Sequence, residues 1–180
     1  FTGILHTYSK IPALLSGILT MSCLYSINLR IMGRPNISLY ENLGHRTVFT
    51  LLRDALNGVP ESYLRLFFLI GLIILIKILL DLFLQTEIGL AIRATGDNET
   101  LVEAQGINPD QIKLVGISLS NALVAFSGAM LAQYQGFVDI NMGIGMVVLG
   151  LASVIVGEVL LRGRIILIIT LQVIIGAVVY

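Results

Sequence analysis

YLRLFFLIGLIILIKILLDLFLQ, residues 63–85, carries an apolar body interrupted only by Lys77 and Asp81. A helix needs about 20 apolar residues to cross a hydrocarbon core of roughly 30 Å, and this run has that length. Over the whole chain of 180 residues, 56% are apolar and 12% are charged, the composition of an integral membrane protein. A transmembrane β-barrel requires short strands of alternating polarity, and the sequence has no such alternation. The expected fold class is therefore all-α: a polytopic membrane protein built as a multi-helix bundle. Lys77 and Asp81 are four apart and share a helical face. Both are expected to reach toward the headgroups near the helix end, a structural role preferred over a proton or ion relay.

Directly after this span lies TEIGLAIRATGDNETLVEAQGINPDQIK, a hydrophilic island with seven charges between two apolar stretches. Asp97 or Asn98 is placed to cap a short helix, with Glu99 in its first turn, where the helix dipole favours an anion. Gly106 supplies the stop. Asn108 is then placed to cap the next helix, with Pro109 at its first position and Gln111 three residues past the cap. The expected product is a helix of about two turns, ETLVEAQ, standing as a rigid knob in an extramembrane loop over 86–112.

Outward from this island, residues 113–134 return across the bilayer, with small residues at Gly116, Ser120, Ser127 and Gly128. Residues 11–31 form an earlier span entered at Pro12 and dotted with Ser16, Gly17, Thr20, Ser22, Ser26 and Asn28, side chains that usually mediate close helix packing. Between these spans, 33–62 is polar and broken at GRPN and NGVPES, with a short helix expected near Val48–Leu56. Near the other end, MVVLGLASVIVGEVLL within 143–161 is too short for a comfortable crossing and predicts a re-entrant half-helix. Asp139 and Asn141 are its expected caps, and Gly143, Gly145, Gly150 and Gly157 permit close backbone approach. A last apolar run occupies 165–180. The chain starts at Phe1 and stops inside that run, so it reads as a fragment of a longer chain.

Charge adds exclusions. Eleven basic and eleven acidic residues balance, which gives no support to a nucleic-acid partner. Cys23 is the one cysteine, so the chain holds neither an internal disulfide nor a thiolate metal cluster. Basic residues are shared equally between the two faces, so charge bias does not orient the bundle.

The segment 89–132, GLAIRATGDNETLVEAQGINPDQIKLVGISLSNALVAFSGAMLA, resembles the signature region of permease subunits of bacterial ABC importers, in the group of branched-chain amino acid and ribose permeases. The matching pieces are Gly89 to Ala94, Asp97 to Glu99, Ala104 to Asn108 and Ser127 to Ala129. IPALLSGILTMSCLYSINLRIMGRPNI is similar to the family's earlier span with its Gly-Arg-Pro exit, and DINMGIGMVVLGLASVIVGE resembles its re-entrant segment, without the Gly-Gly pair of sugar permeases. Within the group the likeness points to permeases assigned to tryptophan or tyrosine uptake.

The resemblance implies a non-catalytic subunit in the bacterial plasma membrane, without a cofactor or metal of its own. It also implies three protein partners: a separate ABC ATPase, an extracytoplasmic substrate-binding protein, and a second permease copy or paralogue. In this family the short cytoplasmic helix docks in a cleft of the ATPase. Carried onto this chain, Asp97, Asn98, Gly106, Asn108 and Pro109 hold the knob rigid, Glu99 and Glu103 offer carboxylates to the ATPase, and Leu101, Val102 and Ile107 offer apolar anchors.

For the substrate path, the residues themselves point to Thr20, Asn28, Asp139, Asn141, Gly143, Gly145, Ser153 and Glu158, because polar groups and free helix ends in lipid tend to face a cavity. Glu158 is the sharpest of these, with pairing to Arg162 one turn on as its structural alternative. Two rival classes remain. A membrane-embedded enzyme needs a convergent set of reactive groups. His6 and His45 lie in different segments, and the chain has no H-E-x-x-H and no GxxxxGK[ST] loop. An ion-coupled secondary transporter or channel needs ionisable residues in mid-membrane, for which Lys77, Asp81 and Glu158 are few and near the ends.

Overall fold

A computed structural model describes residues 1–39, 47–55, 60–161 and 165–180. The expected Glu158–Arg162 pairing, His45 and the Asn57–Gly58 break lie outside them. In chain order the elements are α1 (Thr2–Thr7), α2 (Ala13–Met32), β1 (Asn36–Ser38), α3 (Val48–Ala55), α4 (Glu61–Gln85), α5 (Glu87–Asp97), α6 (Glu99–Ala104), α7 (Pro109–Gln135), β2 (Phe137–Asp139), α8 (Met146–Leu160) and α9 (Ile166–Val179). The chain is all-α in class, and α2, α7 and residues Tyr63–Gln85 of α4 are long and apolar enough to cross a membrane.

Local chemistry sets the ends of the long helices. Pro12 and Pro60 stand at the N-caps of α2 and α4, where a missing N–H costs nothing to the helix. Gly33 (φ +69°) and Gly136 (φ +77°) terminate α2 and α7 in the left-handed region, each N–H donating back to a carbonyl of the last turn at 2.9 Å.

Those two glycine exits lie on one side of the bundle, because the chain immediately beyond them pairs. β1 and β2 form an antiparallel ladder with Asn36 opposite Asp139, Ile37 opposite Val138 and Ser38 opposite Phe137. Leu39 N–H to Gly136 O (2.9 Å) and Ile140 N–H to Pro35 O (3.0 Å) extend it. On the same side α3 packs against α4 and α7. Its Phe49, 3% exposed, meets Phe68 and Tyr134 edge-on at 5.7 and 6.2 Å, and Val48 N–H donates to Gln133 Oε1 at 3.0 Å. This aromatic cluster fastens the polar segment after α2 to the helix ends.

At the opposite side α1, α5 and α6 all pack on α7. Elsewhere the interior is sparse: among the described residues, the buried apolar side chains are Phe49, Leu64, Val102 and Ala132. Most large apolar side chains of α2, α4, α8 and α9 face outward, as a surface solvated by lipid or covered by other protein requires.

α8 and α9, with 15 and 14 residues, measure about 22 and 21 Å, short of a hydrocarbon core. They pack on one another at two glycines. A Cβ at Gly157 would lie 2.0 Å from Gln172 O, and one at Gly176 would lie 1.9 Å from Ser153 O, so the backbones touch where glycine stands.

Candidate functional site

The hydrophilic island folds into two helices. Thr86 ends α4 in an extended conformation, and its hydroxyl donates to Phe83 O (2.6 Å) while accepting from Gly89 N–H (3.3 Å), which caps α5. Gly89 is dictated by space, since a Cβ there would lie 2.3 Å from Phe83 O and 2.5 Å from Leu84 Cα. α5 then packs on α7 through Ile92 and Gly116 and buries Thr95, whose hydroxyl donates to Ala91 O at 2.7 Å. Sequence reading overlooked α5; its signal was Thr86 followed by Glu87, a cap with an acid in the first turn.

α6 has six residues, too few to persist alone in water, so its surroundings must hold it. Asn98 is the cap: its Oδ1 accepts from Leu101 N–H at 3.2 Å and from the Thr100 hydroxyl at 2.7 Å. Asp97 instead closes α5. At the far end Gly106 takes φ +83°, its N–H donates to Glu103 O (2.9 Å), and Ile107 N–H donates to Val102 O (3.3 Å). These are the two bonds of a Schellman ending. Asn108 Oδ1 then accepts from Asp110 N–H (3.0 Å) with Pro109 at the first position of α7, and Gln111 makes no reciprocal capping bond among the described residues.

The exposed face of α6 is selective. Glu103 is exposed, and Leu101 and Ile107 are 56% and 36% exposed. Glu99 pairs with the Lys113 ammonium, tying α6 to α7. Val102, expected as an outward anchor, is 1% exposed and works the other way, fixing α6 to its own chain. Asp97, Asn98, Gly106 and Asn108 are exposed at the helix ends. Behind this surface, α1, α5 and α7 enclose a cleft of about 320 Å³ lined by His6, Ile92, Thr95, Ile112, Lys113 and Ile117 among others.

The residues expected along a substrate path are dispersed in this chain. Thr20 accepts from the Thr2 hydroxyl (3.0 Å) and donates to Ser16 O (2.8 Å), while Asn28 is exposed on the same helix. Ser153 and Glu158 lie on α8, which packs on α9. Asp139 caps no helix: its Oδ1 accepts from Asn141 N–H at 2.6 Å, and a run of turns follows through Gly143. α8 begins at Gly145 (φ +95°) without a side-chain cap, so the N-cap expected of Asp139 or Asn141 falls to glycine. The intervening turns use those residues first.

Lys77 and Asp81 pair along α4 as their spacing predicts, and the pair is engaged with a neighbouring helix rather than left free. Asp81 is buried, and it accepts from the Thr170 hydroxyl of α9 at 2.7 Å. Two clefts flank α4: an apolar one of about 570 Å³ against α7, and one of about 260 Å³ against α9 that includes Lys77 and Thr170 in its wall.

Among known proteins, residues 1–179 match the family described as the branched-chain amino acid transport system / permease component. A tyrosine transport system permease protein of Clostridioides difficile is 44% identical over 180 residues, covering 99% of this chain and 56% of that protein. An uncharacterized protein of Rickettsia prowazekii is 38% identical over 83% of this chain and 49% of its own length. An autoinducer 2 import system permease protein of Photorhabdus laumondii is 25% identical over 91% of this chain and 46% of its own. The chain thus spans about half the length of these relatives. No solved structure matches it. Similarity over virtually all its residues, together with three helices fit to cross a bilayer, places the chain in the branched-chain amino acid transport system permease component family.

Proposed function

We propose that this chain is part of the membrane subunit of a binding-protein-dependent ABC importer of the bacterial plasma membrane. It forms a share of the translocation path for an amino acid and takes its driving force from a separate ATPase through α6. The observation that carries this reading is α6 itself: a short helix capped at both ends, ion-paired and buried on its inner face, with Glu103, Leu101 and Ile107 left outward. A lever must be rigid and must have a free face, and α6 has both. Asp97, Asn98, Glu99, Gly106 and Asn108 supply its rigidity in this reading.

The remaining partners follow from the same scheme: an extracytoplasmic binding protein on the β1–β2 side and a second permease copy in the membrane. A homodimer is the arrangement proposed. The dispersal of Thr20, Asn28, Asp139, Asn141, Gly143, Gly145, Ser153 and Glu158 fits a path completed by other helices of the assembly. Tyrosine is the first solute to test, given the 44% identical relative of that name.

The test is affinity purification of the full-length protein from native membranes in mild detergent. An ABC-type ATPase should accompany it, and should be lost in Glu103→Lys and Gly106→Pro variants that still insert. Uptake driven by an ion gradient, with no ATPase recovered, would instead favour an ion-coupled transporter.

A further inference from the structure

α9 is almost uniformly apolar, and each of its polar or small interior positions is committed to a neighbour. Gln172 donates from its side-chain amide to the carbonyl of Leu161, the C-cap residue of α8, and it is 8% exposed. Gly176, one turn on and on the same face, meets the α8 backbone at Ser153. Thr170 stands two residues before Gln172, about 200° around the helix, and it turns to α4. One face of α9 therefore fuses it to α8, and the opposite face carries the polar contact to α4.

That contact is a chain of three groups. The Lys77 ammonium donates to Asp81 Oδ2, and the Thr170 hydroxyl donates to Asp81 Oδ1 at 2.7 Å. Thr170 has only one proton, and its other acceptors, Ile166 O and Leu167 O, lie at 3.2 and 3.3 Å. The carboxylate is both nearer and charged, so it takes the bond. Lys77 and Asp81 side chains are 16% and 7% exposed, and the flanking Ile73, Ile76, Leu80, Val173 and Ile174 are apolar. In such surroundings a carboxylate has few alternative donors, so the bond fixes direction as well as distance.

We infer that Asp81 is a positioning residue: held by Lys77 and bonded to Thr170, it sets the attitude of the α8–α9 hairpin on α4. The hairpin moves as one body because Gly157, Gln172 and Gly176 weld its halves, and among the described residues its polar hold on the long spans is at Asp81. This rests on the reading that α8, with Ser153 and Glu158, borders the solute path. The lock then determines where those two residues stand.

The test uses the full-length protein with Cys23 and any cysteine outside these residues replaced by serine, carrying Ile76→Cys and Val173→Cys, which line the cleft between α4 and α9. Cross-linking of this pair by a short bismaleimide in native membranes is measured beside uptake of radiolabelled tyrosine. Thr170→Val should lower the cross-linking rate roughly three- to twenty-fold, the range for interhelical hydrogen bonds in membranes, and should raise the KM for uptake. Thr170→Ser, which keeps the hydroxyl, should restore both. The paired replacement Lys77→Met with Asp81→Leu removes the acceptor without stranding a charge, and should behave as Thr170→Val does. Unchanged cross-linking in Thr170→Val and in the paired replacement would overturn the lock whatever uptake did. Reduced cross-linking with uptake unaltered would leave the lock standing and retire the path reading of α8.

Discussion

Replacing Gly106 isolates the contribution of one backbone conformation to the rigidity of α6. The residue sits at φ +83°, and a Cβ built there meets nothing within 4 Å, so no steric clash with neighbours contributes. What remains is the left-handed conformation itself, which costs an L-residue about 1–2 kcal/mol. Gly106→Val should therefore raise the population of opened α6 by a factor of about 5 to 30. Gly106→Asn should stay near the parent, because asparagine is the residue that most readily replaces glycine at a helix C′ position. Hydrogen exchange of the full-length protein in lipid nanodiscs reads this directly at the amides of Gly106 position and Ile107, whose bonds to Glu103 O and Val102 O close the helix. Gly96→Ala is the internal control, since that glycine of α5 has open space and no positive φ. Exchange in Gly106→Val indistinguishable from the parent, with the ATPase absent, would refute the argument that this ending holds α6.

Leu101 and Val102 are adjacent and should fail differently. Val102→Ala removes buried methyls at about 2 kcal/mol and should speed exchange throughout α6, whereas Leu101→Ser should leave exchange unchanged and weaken recovery of the ATPase. Gly176→Ala places a methyl 1.9 Å from Ser153 O and should lower the thermal unfolding midpoint of the detergent-solubilised protein, by an overpacking cost of about 1–3 kcal/mol. Gly71→Ala, in open space on α4, should be neutral or slightly stabilising in the same melt.

The parts of the fold legible in the sequence are those governed by neighbours in the chain. The caps of α6 and α7 at Asn98, Gly106 and Asn108 are contacts over two or three residues, and the long spans announce themselves by length and apolarity. The break at Thr86 is legible, since the apolar run ends at Gln85, but α5 beyond it is not, because Glu87–Asp97 lies within a polar island and its helix is held by packing on α7, which is remote in the chain. The pairing of β1 with β2 joins two three-residue strands about a hundred positions apart, and nothing local in NIS or FVD marks it. Likewise the sequence places Lys77 and Asp81 on one face of α4 but is silent on which helix that face meets. Thr170, 89 residues on, supplies the answer. Val102 shows the same limit: its place in α6 is readable, and its direction depends on the helix behind it.

The β1–β2 ladder also bears on how the protein is made. A ribosome adding roughly 5–20 residues per second exposes Asn36–Ser38 some 5–20 s before Phe137–Asp139 exists. Throughout that interval the strand after α2 has open hydrogen-bonding edges, and two further spans, α4 and α7, must be threaded before its mate arrives. Closure of the ladder is thus a late event in biogenesis, and it reports that α2 and α7 have been inserted with their exits on the same side of the bilayer.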